Sequence, residues 1–87
     1  MVITDEVYQN NVFTEGLRFE SVRSILNTMP KTIRESLELV SANSISKGLL
    51  GECGLRGGYM EVHNFDSFAM SELYKLRSIE ICANSLG

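Results

Sequence analysis

The residue pattern predicts an α/β fold in which a βαβ unit is followed by an antiparallel strand and a helix. Three observations carry this expectation. Short β-branched or alternating runs recur near residues 2–5, 37–40 and 58–65. Apolar residues between the first two runs recur at helical spacing instead. The connection from the second run to the third is too short for a helical crossover.

Val2 and Ile3 form a brief apolar run ending at Asp5, as expected for a buried strand. "QNNVFTEGLR" follows, a polar connection with turn residues Asn10, Asn11 and Gly16. Phe19, Val22, Ile25, Leu26 and Met29 then mark one helical stripe, which Pro30 should terminate. Leu37, Leu39 and Val40 form a second strand-like run that gives way to the polar "SANSISK". After a glycine-rich loop, "GYMEVHNF" reads as a third strand with imperfect alternation. Asp66 suits the N-cap of a last helix whose stripe includes Ala69, Leu73 and Leu76. A helix joining the first two strands makes them parallel in a right-handed unit, and the short link makes the third antiparallel.

The 87 residues allow at most one small domain, which would bury only about 60% of its unfolded surface. With 44% hydrophobic and 22% charged residues, the composition is globular rather than disordered or membrane-spanning. A net charge of −3 argues against a general nucleic-acid or acidic-membrane surface, so neither partner is expected. No apolar run approaches a membrane span and no secretory leader is recognisable, so a soluble intracellular protein is expected. Cys53 and Cys82 have no CxxC or Cys/His spacing to His63, so no metal site is expected. Both should be reduced, partly buried thiols. A strand pattern beginning almost at residue 1, and "ICANSLG" ending without a closing element, suggest a piece of something longer.

The stretch "SISKGLLGECGLRGGYME" is the most informative. Lys47 and Arg56 are the only cationic side chains between Arg34 and Lys75, and they bracket glycines 48, 51 and 54. Glycine at every third position without proline cannot sustain a collagen helix. A P-loop needs its lysine after the glycines, and the GxGxxG dinucleotide spacing is missing. Geometry offers another reading. Ligands of open α/β sheets sit beyond the carboxyl ends of the parallel strands. The first strand carries Asp5 and Tyr8 to that edge, and the second carries Ser44, Ser46 and Lys47. Arg56 can grip a phosphate with its planar fork. A rim holding carboxylate, phenol, hydroxyl, lysine and arginine matches the needs of pyridoxal phosphate. There a lysine bonds the aldehyde and a carboxylate keeps the pyridine nitrogen protonated. Each residue also has a plainer reading: Lys47 as a solvated charge, Asp5 as a strand end, Tyr8 as core, Ser44 as a turn residue. Arg56 could equally pair with Glu52 or Glu61 at the surface.

"VITDEVYQNNVF" followed by "SISKGLLGECGLRGGYMEV" resembles the alanine aminotransferase group of fold-type I pyridoxal phosphate enzymes, which includes the glyoxylate aminotransferases. The likeness runs over nearly the whole chain, with a variable middle around residues 15–35. The SxSK element is shared by many aminotransferases, whereas the extended "SKGLLGECGLRGGYMEV" is far more specific. The resemblance implies that Lys47 bonds the cofactor aldehyde and shuttles the substrate's α-proton. It implies that Asp5 bonds the pyridine nitrogen and Tyr8 the 3-oxygen, while Ser44 and Arg56 hold the phosphate.

Enzymes of that group are several times longer. The other phosphate-binding turn, the aromatic that stacks on the ring, the asparagine near the 3-oxygen, the substrate-gripping arginine and the small domain find no counterpart here. Residues 1–87 are therefore expected to form a single incomplete domain, part of the cofactor-binding large domain, inactive alone. The implied activity is transfer of an amino group between alanine and 2-oxoglutarate, by a homodimeric parent acting on amino acids and 2-oxo acids. Alternatives are a glyoxylate-type or other related aminotransferase, or a truncated product without catalysis. The parent is expected in the cytoplasm, or in the mitochondrion if a targeting segment precedes this one.

Overall fold

A computed structural model describes residues 1–49 and 51–79. Strand β1 spans Val2–Asp5, helix α1 Val22–Thr28, helix α2 Lys31–Ser36, strand β2 Leu39–Ser44, strand β3 Gly58–His63 and helix α3 Ser67–Ser78. The expected α/β order is present. β2 lies in the middle of a three-stranded sheet, parallel to β1 and antiparallel to β3.

The helical segment between β1 and β2 differs from expectation. The stripe from Phe19 to Met29 is not one helix: α1 begins only at Val22, where the Ser21 hydroxyl accepts the Ser24 amide at 3.1 Å. Pro30 ends it as foreseen, but also serves as N-cap of α2, a second helix that the apolar pattern does not announce. Proline's fixed φ suits a helix start as well as a helix stop. Leu37 caps α2 rather than opening β2, because its amide bonds back to the Ile33 carbonyl at 2.9 Å. Asn64, in the left-handed region at φ 60°, donates its side-chain amide to the carbonyls of Arg34 and Leu37 at 2.7 and 2.8 Å. It thereby satisfies exposed carbonyls at the end of α2, as C-terminal caps do.

Strand alternation gives the sheet two unlike faces. Thr4, Glu6, Leu39, Ser41, Tyr59, Glu61 and His63 share the face that meets α1, as the Val22 amide to Glu6 bond and the Arg23–Glu61 pair require. Leu26 of α1 and Leu39 of β2 are the buried apolar side chains among the described residues. Ile3, Val40, Ala42, Met60 and Val62 occupy the opposite face, where Ile3 is 67% exposed. Asp66 caps α3 by accepting the Ala69 amide at 2.8 Å, yet α3 buries no residue and Leu76 of its expected stripe is exposed. The result is thin and wide, 44 × 41 × 14 Å, with a radius of gyration of 15.5 Å. A compact domain of this length would have a radius of about 12 Å.

The cysteine expectation is corrected for Cys53, which is exposed, its thiol donating to the Ser46 carbonyl at 3.0 Å. Cys82 and the "ICANSLG" segment lie outside the described residues.

Arg23, Glu61 and His63 link helix to sheet. Arg23 Nη1 donates to Glu61 Oε2 at 2.8 Å, and His63 Nε2 lies 3.4 Å from the same oxygen. These bonds, from His63 first and Arg23 second, hold the Glu61 carboxyl below its ordinary value of 4.5 against an opposing desolvation effect. A carboxylate with a lowered folded-state pKa stabilises the fold above the unfolded value. That contribution is lost as pH falls through the folded one. Denaturant unfolding of the chain should therefore show stability declining below pH 4.5, and Glu61→Gln should flatten that acid limb.

Gly58 and Gly54 provide a paired test of the β2–β3 junction. A β-carbon on Gly58 would lie 2.6 Å from the Asn43 carbonyl oxygen, whereas one on Gly54 would meet nothing within 4 Å. Gly58→Ala should destabilise the chain by about 1–3 kcal/mol in urea melts, the usual cost of overpacking. Gly54→Ala should change it by less than about 0.5 kcal/mol, as at an open surface position.

Candidate functional site

The sheet topology gathers the candidate residues at one edge. β1 and β2 run parallel with Asp5 opposite Ala42, so both carboxyl ends point the same way. β3 runs back from that edge with Gly58 opposite Ser44, which brings Arg56, two residues earlier, to the same place. Asp5 ends β1, and its Oδ1 accepts the Val7 amide at 3.4 Å, turning the chain toward Tyr8. Tyr8 is 59% exposed, so the reading of it as core does not hold. Ser46 and Lys47 lie past the end of β2, in the turn that follows it.

A cavity of about 470 Å³ opens at this edge. Lys47 and Ser44 line it, with Val7, Gln9 and Asn10 from the turn after β1 forming one wall and Tyr59 of β3 contributing to another. Asp5, Tyr8 and Arg56 share the edge but do not line this cavity. By strand alternation Asp5 lies on the same sheet face as Ala42 and Ser44.

Lys47 is exposed and has neither ion pair nor hydrogen bond among the described residues. Gly48 follows it in the left-handed region at φ 74°, a conformation that glycine takes without steric cost. A β-carbon there would come within 3.9 Å of Asn10 and 4.0 Å of the Val7 carbonyl, so the lysine turn lies against the turn after β1. Ser44 Oγ accepts the Ser46 amide at 3.1 Å and donates to the Gly57 carbonyl at 3.3 Å, fixing the start of the lysine turn to the residue after Arg56. Arg56 stands in the left-handed region at φ 50°, ψ 47°, ending a 3₁₀ turn over Cys53–Leu55. Among the described residues its guanidinium donates only to the Cys53 carbonyl, at 3.3 Å. Neither surface pairing, with Glu52 or with Glu61, forms; the Glu61 carboxylate is bonded by Arg23 and His63 instead.

Sequence reasoning missed Gln9 and Asn10 as cavity walls, and it missed Glu6. Two adjacent acids in extended backbone, here the last residue of β1 and the one after it, point to opposite faces. That signal was legible in "TDEV", since an acid directed to one face leaves its neighbour directed to the other.

No family model matches the chain. Curated proteins do. The chain is 44% identical over 86 residues to alanine aminotransferase 1 of Bos taurus, which covers 99% of this chain and 17% of that protein. It is 48% identical over 81 residues to alanine aminotransferase 2 of Xenopus laevis, covering 93% of this chain and 15% of that one. With the mitochondrial alanine aminotransferase 1 of Arabidopsis thaliana it shares 42% identity over 87 residues, all of this chain and 16% of the relative. The chain thus spans about one sixth of the length of these relatives. Identity of 42–48% over 93–100% of its residues makes the chain, as a segment, a member of the alanine aminotransferase family.

Proposed function

We propose that the protein carrying this segment is a pyridoxal phosphate-dependent aminotransferase that moves an amino group between alanine and 2-oxoglutarate, with Lys47 as its reactive amine. The observation that carries this reading is the Lys47 amine, unpaired among the described residues, on the rim of a cavity at the carboxyl edge of the parallel strands. Residues 1–87 are read as part of the large cofactor-binding domain. The exposed apolar face and the 14 Å thickness support that, since they leave much of the sheet for other chain to cover. The segment alone is read as inactive. We read the whole protein as a cytoplasmic homodimer, noting that one relative is mitochondrial by name. Among the described residues no helix is long and apolar enough to cross a membrane.

The donor set fits pyridoxal phosphate in its chemistry. Arg56 has most of its guanidinium donors uncommitted, and the Ser44 hydroxyl needs only to turn from the Gly57 carbonyl to donate to a phosphate oxygen. Asp5 offers a carboxylate for the pyridine nitrogen, and Tyr8 an exposed phenol for the 3-oxygen. When bound, the cofactor supplies an electron sink for the carbanion left by loss of the α-proton. Lys47 would hold the aldehyde carbon at rest. As a free amine, its Nζ would then take the proton from the substrate α-carbon and return it to the adjoining position. This is general acid–base work by a group tethered beside the C–H bond. Asp5 would keep a proton on the ring nitrogen.

Borohydride treatment of the whole protein followed by peptide mapping should find the pyridoxyl group on Lys47. A label elsewhere, or none, would refute the reading. Lys47→Ala should lower transamination by at least about a hundredfold, in line with loss of a proton-transfer group. Arg56→Ala should weaken cofactor retention by about tenfold to a hundredfold, the effect of losing a charge-assisted hydrogen bond. Unaltered retention in that variant would exclude the phosphate role.

A further inference from the structure

Glu6, the residue after β1, accepts three hydrogen bonds on its side chain, and the chemistry above makes no use of it. Its Oε1 accepts the Val22 amide at 2.8 Å and the Thr4 hydroxyl at 3.5 Å, while Oε2 accepts the Ser41 hydroxyl at 2.9 Å. Ser41 is itself 8% exposed, so the bond lies within the sheet's covered face. The Glu6 backbone is equally committed. Its amide donates to the Ala42 carbonyl at 2.9 Å, and its carbonyl accepts the Gln9 amide at 3.2 Å. One residue therefore ties β1 to β2, holds the first turn of α1 by its otherwise orphan amide, and starts the turn that runs through Val7, Gln9 and Asn10.

That turn forms a wall of the Lys47 cavity and lies against Gly48. Asp5, the neighbour of Glu6, projects to the other face of the sheet. We infer that Glu6 is a positioning residue for the cofactor site: its carboxylate, anchored on the α1 face, fixes both the direction of Asp5 and the turn that packs against the lysine turn at Gly48. The inference rests on the aminotransferase reading for what the site holds, but the anchoring itself does not. A carboxylate suits the task because it accepts several hydrogen bonds with its charge strengthening each, and nothing cationic is needed to hold it. Glu6→Gln keeps one acceptor oxygen for the Val22 amide and replaces the other with a donor facing Ser41. The variant should fold while loosening the anchor, whereas Glu6→Ala removes every bond.

The experiment uses the whole protein carrying the segment. In its cofactor-free form, amide hydrogen exchange at Gln9, Asn11 and Val22 should accelerate at least about tenfold in Glu6→Gln, as loss of the Ser41 bond and of the charge that strengthens the Val22 bond implies. Exchange in α3, which has no bond to Glu6, should not change. In the loaded form, pyridoxal phosphate should leave Glu6→Gln at least about tenfold faster while the melting temperature of the cofactor-free protein moves little. Unchanged exchange in the turn overturns the inference. So does faster exchange with unchanged cofactor release, which would leave Glu6 a purely structural anchor. If the unmutated protein carries no pyridoxyl label on Lys47, the aminotransferase reading fails, and the exchange measurement alone then decides whether Glu6 sets the cavity wall.

Discussion

The central position of β2 is the constraint from which the remaining geometry follows. One strand pairs in parallel on one side and antiparallel on the other, so three chain segments distant in sequence converge on its carboxyl end. Asp5 arrives from the parallel neighbour, Lys47 continues β2 itself, and Arg56 precedes the antiparallel neighbour. Main-chain hydrogen bonds fix this convergence, and the side chains at the edge remain available for chemistry. The same strand contributes Leu39 and Ser41, the most buried apolar and polar residues of the sheet, so fold and site draw on a single element.

Division of labour between the two sheet faces is the second organising feature. The α1 face is consumed by structure: Leu39 packs there, Glu6 collects amide and hydroxyl bonds, and Arg23 reaches Glu61. The other face bears apolar side chains with partial exposure and, at its end, Asp5 and Ser44. The adjacent acids Asp5 and Glu6 thus lie on opposite faces, as a two-residue strand period permits. A surface ion pair such as Arg23–Glu61 contributes little alone, but here it spans helix and outer strand and so orients one on the other.

Much of this was legible in the sequence because the relevant signals are local. Asp66 as a cap, the parallel first pair and the antiparallel third strand all follow from short-range pattern and connection length. The gathering of Asp5, Ser44, Lys47 and Arg56 at one edge follows from topology alone. Failures occurred where a residue had two permitted roles or where the partner was distant. Pro30 stops one helix and starts another, and periodicity weighs only the stop. Glu6 finds Ser41 thirty-five residues away, and Asn64 finds Arg34 thirty residues away. No window along the chain contains such pairs. Leu37 and Leu76 are apolar in pattern but not buried, because apolar spacing tells which face could be covered and not whether anything covers it.

Arginine at position 56 sets local comfort against usefulness. Its left-handed backbone is one that a β-carbon disfavours by about 1 kcal/mol, and glycine would sit there freely. A selection scheme rewarding only heat resistance would be drawn to Arg56→Gly, relaxing the turn while deleting the guanidinium. Under the phosphate role proposed for Arg56, thermal hardening of this loop and retention of the cofactor would then pull in opposite directions.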